Sequence, residues 1–160
     1  MNNDTLKAII TVGIPASGKT TFAYSIIESD NSYIEVNRDM IRHEVFDSNG
    51  WSDYVFSDEN ERKVTNVQFE KFRDLQRASK NIIVTDTNLK MKYLRGTINF
   101  LKHLGYDVSI KLCPITLQEA IRRNSVRKLS LPLEEISRQY NCYSEMEEKV
   151  HKKYEEIVIQ

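Results

Sequence analysis

Gly13-Ile14-Pro15-Ala16-Ser17-Gly18-Lys19-Thr20 is the stretch on which the fold turns. It matches the phosphate-cradling pattern G-x-x-x-x-G-K-S/T in full. The run before it, Lys7-Ala8-Ile9-Ile10-Thr11-Val12, is short, apolar and β-branched, and reads as a buried parallel strand. Thr20 to Glu28 can follow as a helix. Gly13 and Gly18 let the backbone adopt shapes that a Cβ forbids. The loop amides can then point at phosphate oxygens beside a helix N-terminus that favours anions. Lys19 supplies a point charge for the β- and γ-phosphates, and Thr20 a hydroxyl for Mg²⁺. Pro15, Ala16, Ser17 and Thr21 complete the expected nucleotide cradle.

Outward from this loop, strands and helices alternate. Further strands are expected at Ser32–Val36, Asn81–Thr85 and Asp107–Cys113. A short helix fits Asp39–Val45. Longer ones fit Glu59–Ser79, with Val64, Val67, Phe72, Leu75 and Ala78 in one stripe, and Lys90–Leu104, with Met91, Leu94, Ile98 and Leu101 on one face. Thr116 and Glu119 form a T-x-x-E capping box for the next helix. Another helix is expected from about Pro132 and a last one over Tyr143–Ile157. The alternation predicts an α/β fold of the P-loop NTPase type, a parallel sheet with helices on both faces. A helical lid is expected over about residues 124–142, within a single kinase domain spanning 1–160.

The 160 residues suit one domain, and no stretch approaches the length of a membrane span. Lysine plus arginine equals aspartate plus glutamate, at 23 each. That balance argues against a protein that coats nucleic acid non-specifically, though not against a local basic groove. Cys113 and Cys142 form no C-x-x-C pair and no disulfide framework. The three histidines lack metal-ligand spacing. The polar start lacks a signal peptide's basic and apolar runs, so a cytoplasmic protein is expected; the charged tail reads as a complete end.

Ligands of parallel sheets bind beyond the carboxyl ends of the strands. That rule groups the P-loop with Asn37-Arg38-Asp39 and Thr85-Asp86-Thr87-Asn88. Asp39 could accept the proton of an attacking hydroxyl or merely cap a helix. Arg42, three residues on, could hold an acceptor phosphate. Asp86 ends an apolar strand as a Walker B carboxylate does, serving Mg²⁺ directly or through water; it could instead orient Arg42 by an ion pair. Asn88 could touch substrate or cap the next helix. Arg123 and Arg127 stand four apart, where an arginine of a closing lid could reach the triphosphate. Trp51, Tyr54 and Phe56 could stack a base or anchor their own loop.

Four segments resemble, in order and spacing, the kinase half of bacteriophage polynucleotide kinase-phosphatase. They are Gly13 to Thr21, Asn37-Arg38-Asp39 with Arg42, Thr85-Asp86-Thr87-Asn88-Leu89, and Arg123-Asn124-Ser125 with Arg127. The resemblance covers nearly the whole chain. It implies transfer of the ATP γ-phosphate to a 5′-hydroxyl of DNA or RNA, with Mg²⁺. It places Lys19 and Thr20 on the donor phosphates and metal, and makes Asp39 the general base. Arg42 becomes a ligand of the acceptor 3′-phosphate, Asp86 an essential acid, and Arg127 the donor-phosphate arginine of the lid; Arg38 is given no role. Ala16 departs from the family by replacing a glycine, and Phe46 to Glu61 does not match closely. The family's phosphatase signature, D-x-D-G-T, is absent: either this is a stand-alone kinase, or a separate phosphatase or ligase partner supplies the other steps of end repair, or the sequence is an excised domain. Two other readings fit a P-loop. One is a small-molecule kinase for a nucleoside, sugar or nucleotide-sugar, and the other is a nucleotide-binding module without turnover.

Overall fold

A computed structural model of the chain describes residues 4–48 and 53–160. The strands are β1 (Lys7–Val12), β2 (Tyr33–Val36), β3 (Asn81–Val84), β4 (Asp107–Leu112) and β5 (Val158–Ile159). The helices are α1 (Lys19–Ser29), α2 (Arg38–Phe46), α3 (Asp58–Arg77), α4 (Met91–His103), α5 (Leu117–Ser125) and α6 (Leu133–Tyr154). The sheet order is β2-β3-β1-β4-β5, and every pairing is parallel. Ala8 pairs with Ile82 on one side and Val108 on the other, so β1 is central and the P-loop leaves the middle of the sheet.

Alternation along the strands builds two cores. Ala8, Ile10, Val12, Ile82, Val84, Val108 and Ile110 turn to one face. There they join Val64 and Phe72 of α3, Leu94, Ile98 and Leu101 of α4, and Ile136, Met146 and Val150 of α6. Ile9, Tyr33 and Ile83 turn to the other face and meet Ala23 of α1. Helices therefore cover both faces, as the alternating pattern predicts. None of the described helices is long and apolar enough to cross a membrane.

The structure corrects several local expectations. Pro132 opens one continuous helix to Tyr154, not two helices. No breaker interrupts it, and Tyr143, Met146 and Val150 continue the apolar stripe begun at Ile136. After it, β5 adds an edge strand that is too short to read from its pattern. The capping box is only half made. Thr116 accepts the Glu119 amide at 3.2 Å, but the Glu119 carboxylate binds Arg122 and Arg123 instead. Asn37, not Asp39, caps α2, accepting the amides of Asp39 and Met40. The cap position of α4 is Lys90, not Asn88.

Candidate active site

The turn from β1 into α1 is tightly constrained. The Gly13 amide donates to the Thr87 carbonyl at 3.1 Å, tying the loop to the end of β3. A Cβ at Gly13 would come within 2.5 Å of Ser17 Oγ and 2.9 Å of Cys113 Cβ, so only glycine fits. Gly18 turns into the helix at φ +97°, and Ala16 occupies the same left-handed region at φ 67°. Lys19 Nζ donates to the Ile14 carbonyl at 2.7 Å. Burial lowers its pKa to about 8; Cys113 opposes that shift and the Arg127 charge adds to it. Thr20, on the first turn of α1, is exposed.

Past the end of β2, α2 presents Asp39 and Arg42 one turn apart. Arg42 Nη1 donates to Asp39 Oδ1 at 2.7 Å. Its Nε and Nη2 grip both oxygens of Glu61, on α3, at 3.0 and 2.9 Å. The guanidinium also lies 5.0 Å from the Phe56 ring centre and 5.4 Å from that of Tyr54. Only 11% of the Arg42 side chain is exposed, against 68% of Asp39. Burial works against the Arg42 charge, but Glu61 and Asp39 overcome it and hold the guanidinium firmly protonated. Tyr54 is buried among ring contacts and Phe56 is exposed, which fits loop anchoring more than base stacking for Tyr54. Trp51 lies outside the described residues.

Asp86 follows β3. Its Oδ1 accepts the Arg38 amide at 2.7 Å and its Oδ2 accepts Gln68 Nε2 at 2.7 Å. Burial pushes its pKa up, and these two donors pull it back. Neither oxygen pairs with Arg42; Glu61 does that work. The Arg38 side chain binds Glu61 Oε2 at 2.7 Å and Thr65 Oγ1 at 2.9 Å, pinning α2 to α3. Asn88 sits at φ 50° and donates its amide to the Thr11 carbonyl at 2.9 Å, a link that fixes the loop.

On the opposite side, Arg123 Nη1 reaches the Ala16 carbonyl at 3.1 Å, while its Nε holds Glu119. Arg127 falls beyond the last turn of α5, which ends at Ser125, so the two arginines do not share a helical face. Asn124 bonds the Leu131 backbone both ways, at 2.7 and 2.9 Å, and closes the loop that carries Arg127.

One cavity of about 1070 Å³ gathers these groups. Pro15, Ala16 and Gly18 to Thr21 form one wall; Asp39, Arg42, Asp86, Arg123 and Arg127 form the others. Gly13 and Ser17 lie outside its lining, and Asn88 lines a neighbouring cavity. Glu61 and Gln68, which position Arg42 and Asp86, escaped the sequence reading. The only signal for them was that arginines near a pocket require nearby acids. Thr20 and Asp86 both line this cavity, and each Asp86 oxygen accepts one N–H donor; the two residues offer oxygen donors of the kind that Mg²⁺ takes.

A P-loop at the centre of an all-parallel sheet, sharing a cavity with Asp39, Asp86, Arg42, Arg123 and Arg127, defines a nucleotide-binding domain of the P-loop kinase class. The chain belongs to the AAA domain family, whose profile matches residues 9–146. It is 28% identical over 145 residues to a protein of Autographa californica nuclear polyhedrosis virus described as a putative bifunctional polynucleotide kinase/RNA ligase. The match covers 84% of this chain and 20% of that protein. It superposes on a chain of the Pnkp1/Rnl/Hen1 RNA repair complex with a TM-score of 0.75 and 25% identity, covering 92% of this chain and 48% of that one. The chain thus spans less than half the length of these relatives. The Mycobacterium tuberculosis APS kinase CysC, solved with AMPPNP and APS, shares the fold at 17% identity and a TM-score of 0.61, over 76% of this chain and 70% of that one.

Proposed function

We propose that this chain transfers the γ-phosphate of ATP, or of another nucleoside triphosphate, to the 5′-hydroxyl of a DNA or RNA end. The observation that carries this reading is Arg42. Asp39 and Glu61 fix it in the same cavity as the P-loop, yet they use only three of its five N–H groups. The remaining two suit a phosphate on the acceptor, which a nucleoside or sugar acceptor lacks. The viral relative and the RNA repair complex support the same reading.

In the proposed reaction the acceptor O5′ attacks the γ-phosphorus, the bond to the β–γ bridging oxygen breaks, and the 5′-hydroxyl proton passes to Asp39. Asp39 Oδ1 is held by Arg42, so the carboxylate is aimed by the residue that holds the acceptor. Lys19 and the loop amides hold the β- and γ-phosphates, whose charge favours the protonated lysine. Arg127, with Arg123 on the loop wall, neutralises charge that builds on the transferring group. Mg²⁺, with Thr20 as ligand and Asp86 through water, would offset charge between the β- and γ-phosphates. Asp86 also fixes the backbone of Arg38, and so the start of α2. Residues 124–142, the end of α5, the loop after it and the first part of α6, form the lid over the donor. The proposed setting is the cytoplasm, in keeping with two free cysteines, with a phosphatase or ligase partner for the remaining steps.

The test is a panel of labelled phosphate transfers from ATP to oligonucleotides, nucleoside 3′-phosphates, nucleosides and sugars. Labelling of the first two supports the proposal. Labelling of nucleosides or sugars alone, or ATP binding without transfer, overturns it.

A further inference from the structure

Three side chains that the proposed reaction does not use form one hydrogen-bonded chain at the ends of β2 and β3. Asn37 follows β2 and Thr85 follows β3, and the Thr85 amide donates to the Val36 carbonyl at 3.2 Å. Asn37 Nδ2 donates to Thr85 Oγ1 at 3.0 Å, and Thr85 Oγ1 donates to Glu35 Oε1 at 2.5 Å. At the other end, Asn37 Oδ1 accepts the amides of Asp39 and Met40 at 2.7 and 3.2 Å. Thr85 is 3% exposed. Asn37 and Thr85 line the P-loop cavity, and half-buried Glu35 lies outside its lining.

The polarity of this chain is fixed from both ends. Backbone N–H groups only donate, so the Asn37 carbonyl must face α2 and its NH₂ group must face Thr85. A carboxylate only accepts, so the Thr85 proton must point at Glu35 and its lone pair at Asn37. The outcome is a fully satisfied first turn of α2. Of its first four amides, Arg38 gives to Asp86, Asp39 and Met40 give to the Asn37 side chain, and Ile41 gives to the Asn37 backbone carbonyl at 3.2 Å. Adjacent residues of one loop therefore grip the same helical turn, Asp86 directly and Thr85 through Asn37. Asp39 stands on that turn with 68% of its side chain exposed, so its place in the cavity depends on the backbone beneath it and on Arg42. A link between β2 and β3 alone would not require the chain, because the Thr85 amide already supplies one.

We infer that Glu35 and Thr85 are positioning residues for Asp39. They orient Asn37, Asn37 fixes the first turn of α2, and that turn sets where the Asp39 carboxylate meets the acceptor hydroxyl. The inference rests on the proposed kinase reading for the role of Asp39, and it adds two residues that act through Asn37 and not on the reactants. Loss of the Thr85 hydroxyl leaves the Asn37 NH₂ group without its acceptor. Loss of the Glu35 carboxylate frees the Thr85 proton to turn toward Asn37 and favours the flipped amide, whose NH₂ group would then face the N–H groups of α2.

Two readouts test it on Thr85→Val, Thr85→Ser and Glu35→Met. Amide hydrogen exchange by NMR reads the Asp39 and Met40 amides of the nucleotide-free protein. Thr85→Val and Glu35→Met should speed their exchange roughly tenfold, as loss of a helix cap does, and Thr85→Ser should restore the wild-type rate. Steady-state kinetics with ATP and a 5′-hydroxyl oligonucleotide read the chemistry. Thr85→Val and Glu35→Met should lower kcat roughly 10- to 100-fold, with KM for ATP unchanged and Thr85→Ser close to wild type. In an Asp39→Asn background, Thr85→Val should lower kcat no further, because a residue that acts through Asp39 has nothing left to position. Unchanged amide exchange, an unchanged kcat, or a kcat loss that adds in full to that of Asp39→Asn overturns the inference. If the wild type phosphorylates no acceptor, the kinase reading falls and the role in positioning a base falls with it, whereas exchange still decides whether the chain sets the first turn of α2.

Discussion

Glu61→Gln is the most informative single change, because it removes one charge and keeps the shape. Glu61 accepts Nε and Nη2 of Arg42 at 3.0 and 2.9 Å and Nη2 of Arg38 at 2.7 Å. Burial acts to raise its pKa, but the two arginines prevail and hold it at about 2, against an ordinary 4.5. At 1.36 kcal/mol per unit, that difference amounts to roughly 3 kcal/mol. The side chain is 32% exposed, and solvent screening reduces the contribution to about 1–2 kcal/mol. Because the folded pKa is depressed, the contribution is complete above pH 4.5 and is lost as pH falls toward 2. Urea unfolding at a series of pH values should show wild type more stable than Glu61→Gln by that amount at pH 7, with the gap closing through the acid range. The same variant frees Arg42, so the acceptor KM should rise more than kcat falls. A gap that stays constant from neutral to strongly acidic pH, or a variant as stable as wild type throughout, would refute the assignment of Glu61 as the counter-ion of both arginines.

Lys19→Met should abolish phosphate transfer yet stabilise the nucleotide-free protein by about 1–3 kcal/mol, because a buried ammonium with its pKa lowered to about 8 opposes folding. That advantage is complete below pH 8 and fades as pH rises toward 10.5; chemical denaturation at pH 7 and pH 10 reads it. Ala16→Gly relieves a left-handed alanine at φ 67° and should leave stability equal or raise it by up to about 1 kcal/mol in thermal melts. Asp39→Asn should lower kcat by roughly 10²- to 10⁴-fold with little change in nucleotide affinity; an unchanged kcat removes Asp39 as the base. Arg42→Ala should raise KM steeply for nucleoside 3′-phosphates and oligonucleotides, measured against the labelled-transfer panel.

The fold was legible because its signals were local and mutually consistent. The β-branched run ending at Val12, the P-loop and the helix after it carry their pattern in consecutive residues. The residues at the strand ends were legible for the same reason, since topology places them at one edge of the sheet. What escaped was set by tertiary competition. Asn37 won the cap of α2 because its side chain reaches two amides, leaving Asp39 free to point away from the backbone. Glu119 abandoned its half of the capping box for two arginines, a stronger pairing for a carboxylate. Asn88 was spent inside the loop because a buried carbonyl of Thr11 needed a donor. Glu61 sits in a helix rich in surface charge, and nothing in its own neighbourhood of sequence separates it from Glu59.

The charges around α2 give its two arginines different duties. Arg38 binds Glu61 and Thr65 from the α3 side and gives its amide to Asp86, so it fixes the helix. Arg42 is then free of structural duty beyond its own salt bridges, and its unused N–H groups remain available. Under the proposed reaction an acceptor phosphate takes those unused N–H groups while Nη1 keeps its hold on Asp39 Oδ1, so one guanidinium sets both the acceptor and the proton-accepting carboxylate. Glu61 is shared with Arg38 and partly withdrawn from solvent, so it anchors Arg42 from the α3 side. Under the proposed reaction one acid thus holds the arginine in place while the other takes the proton.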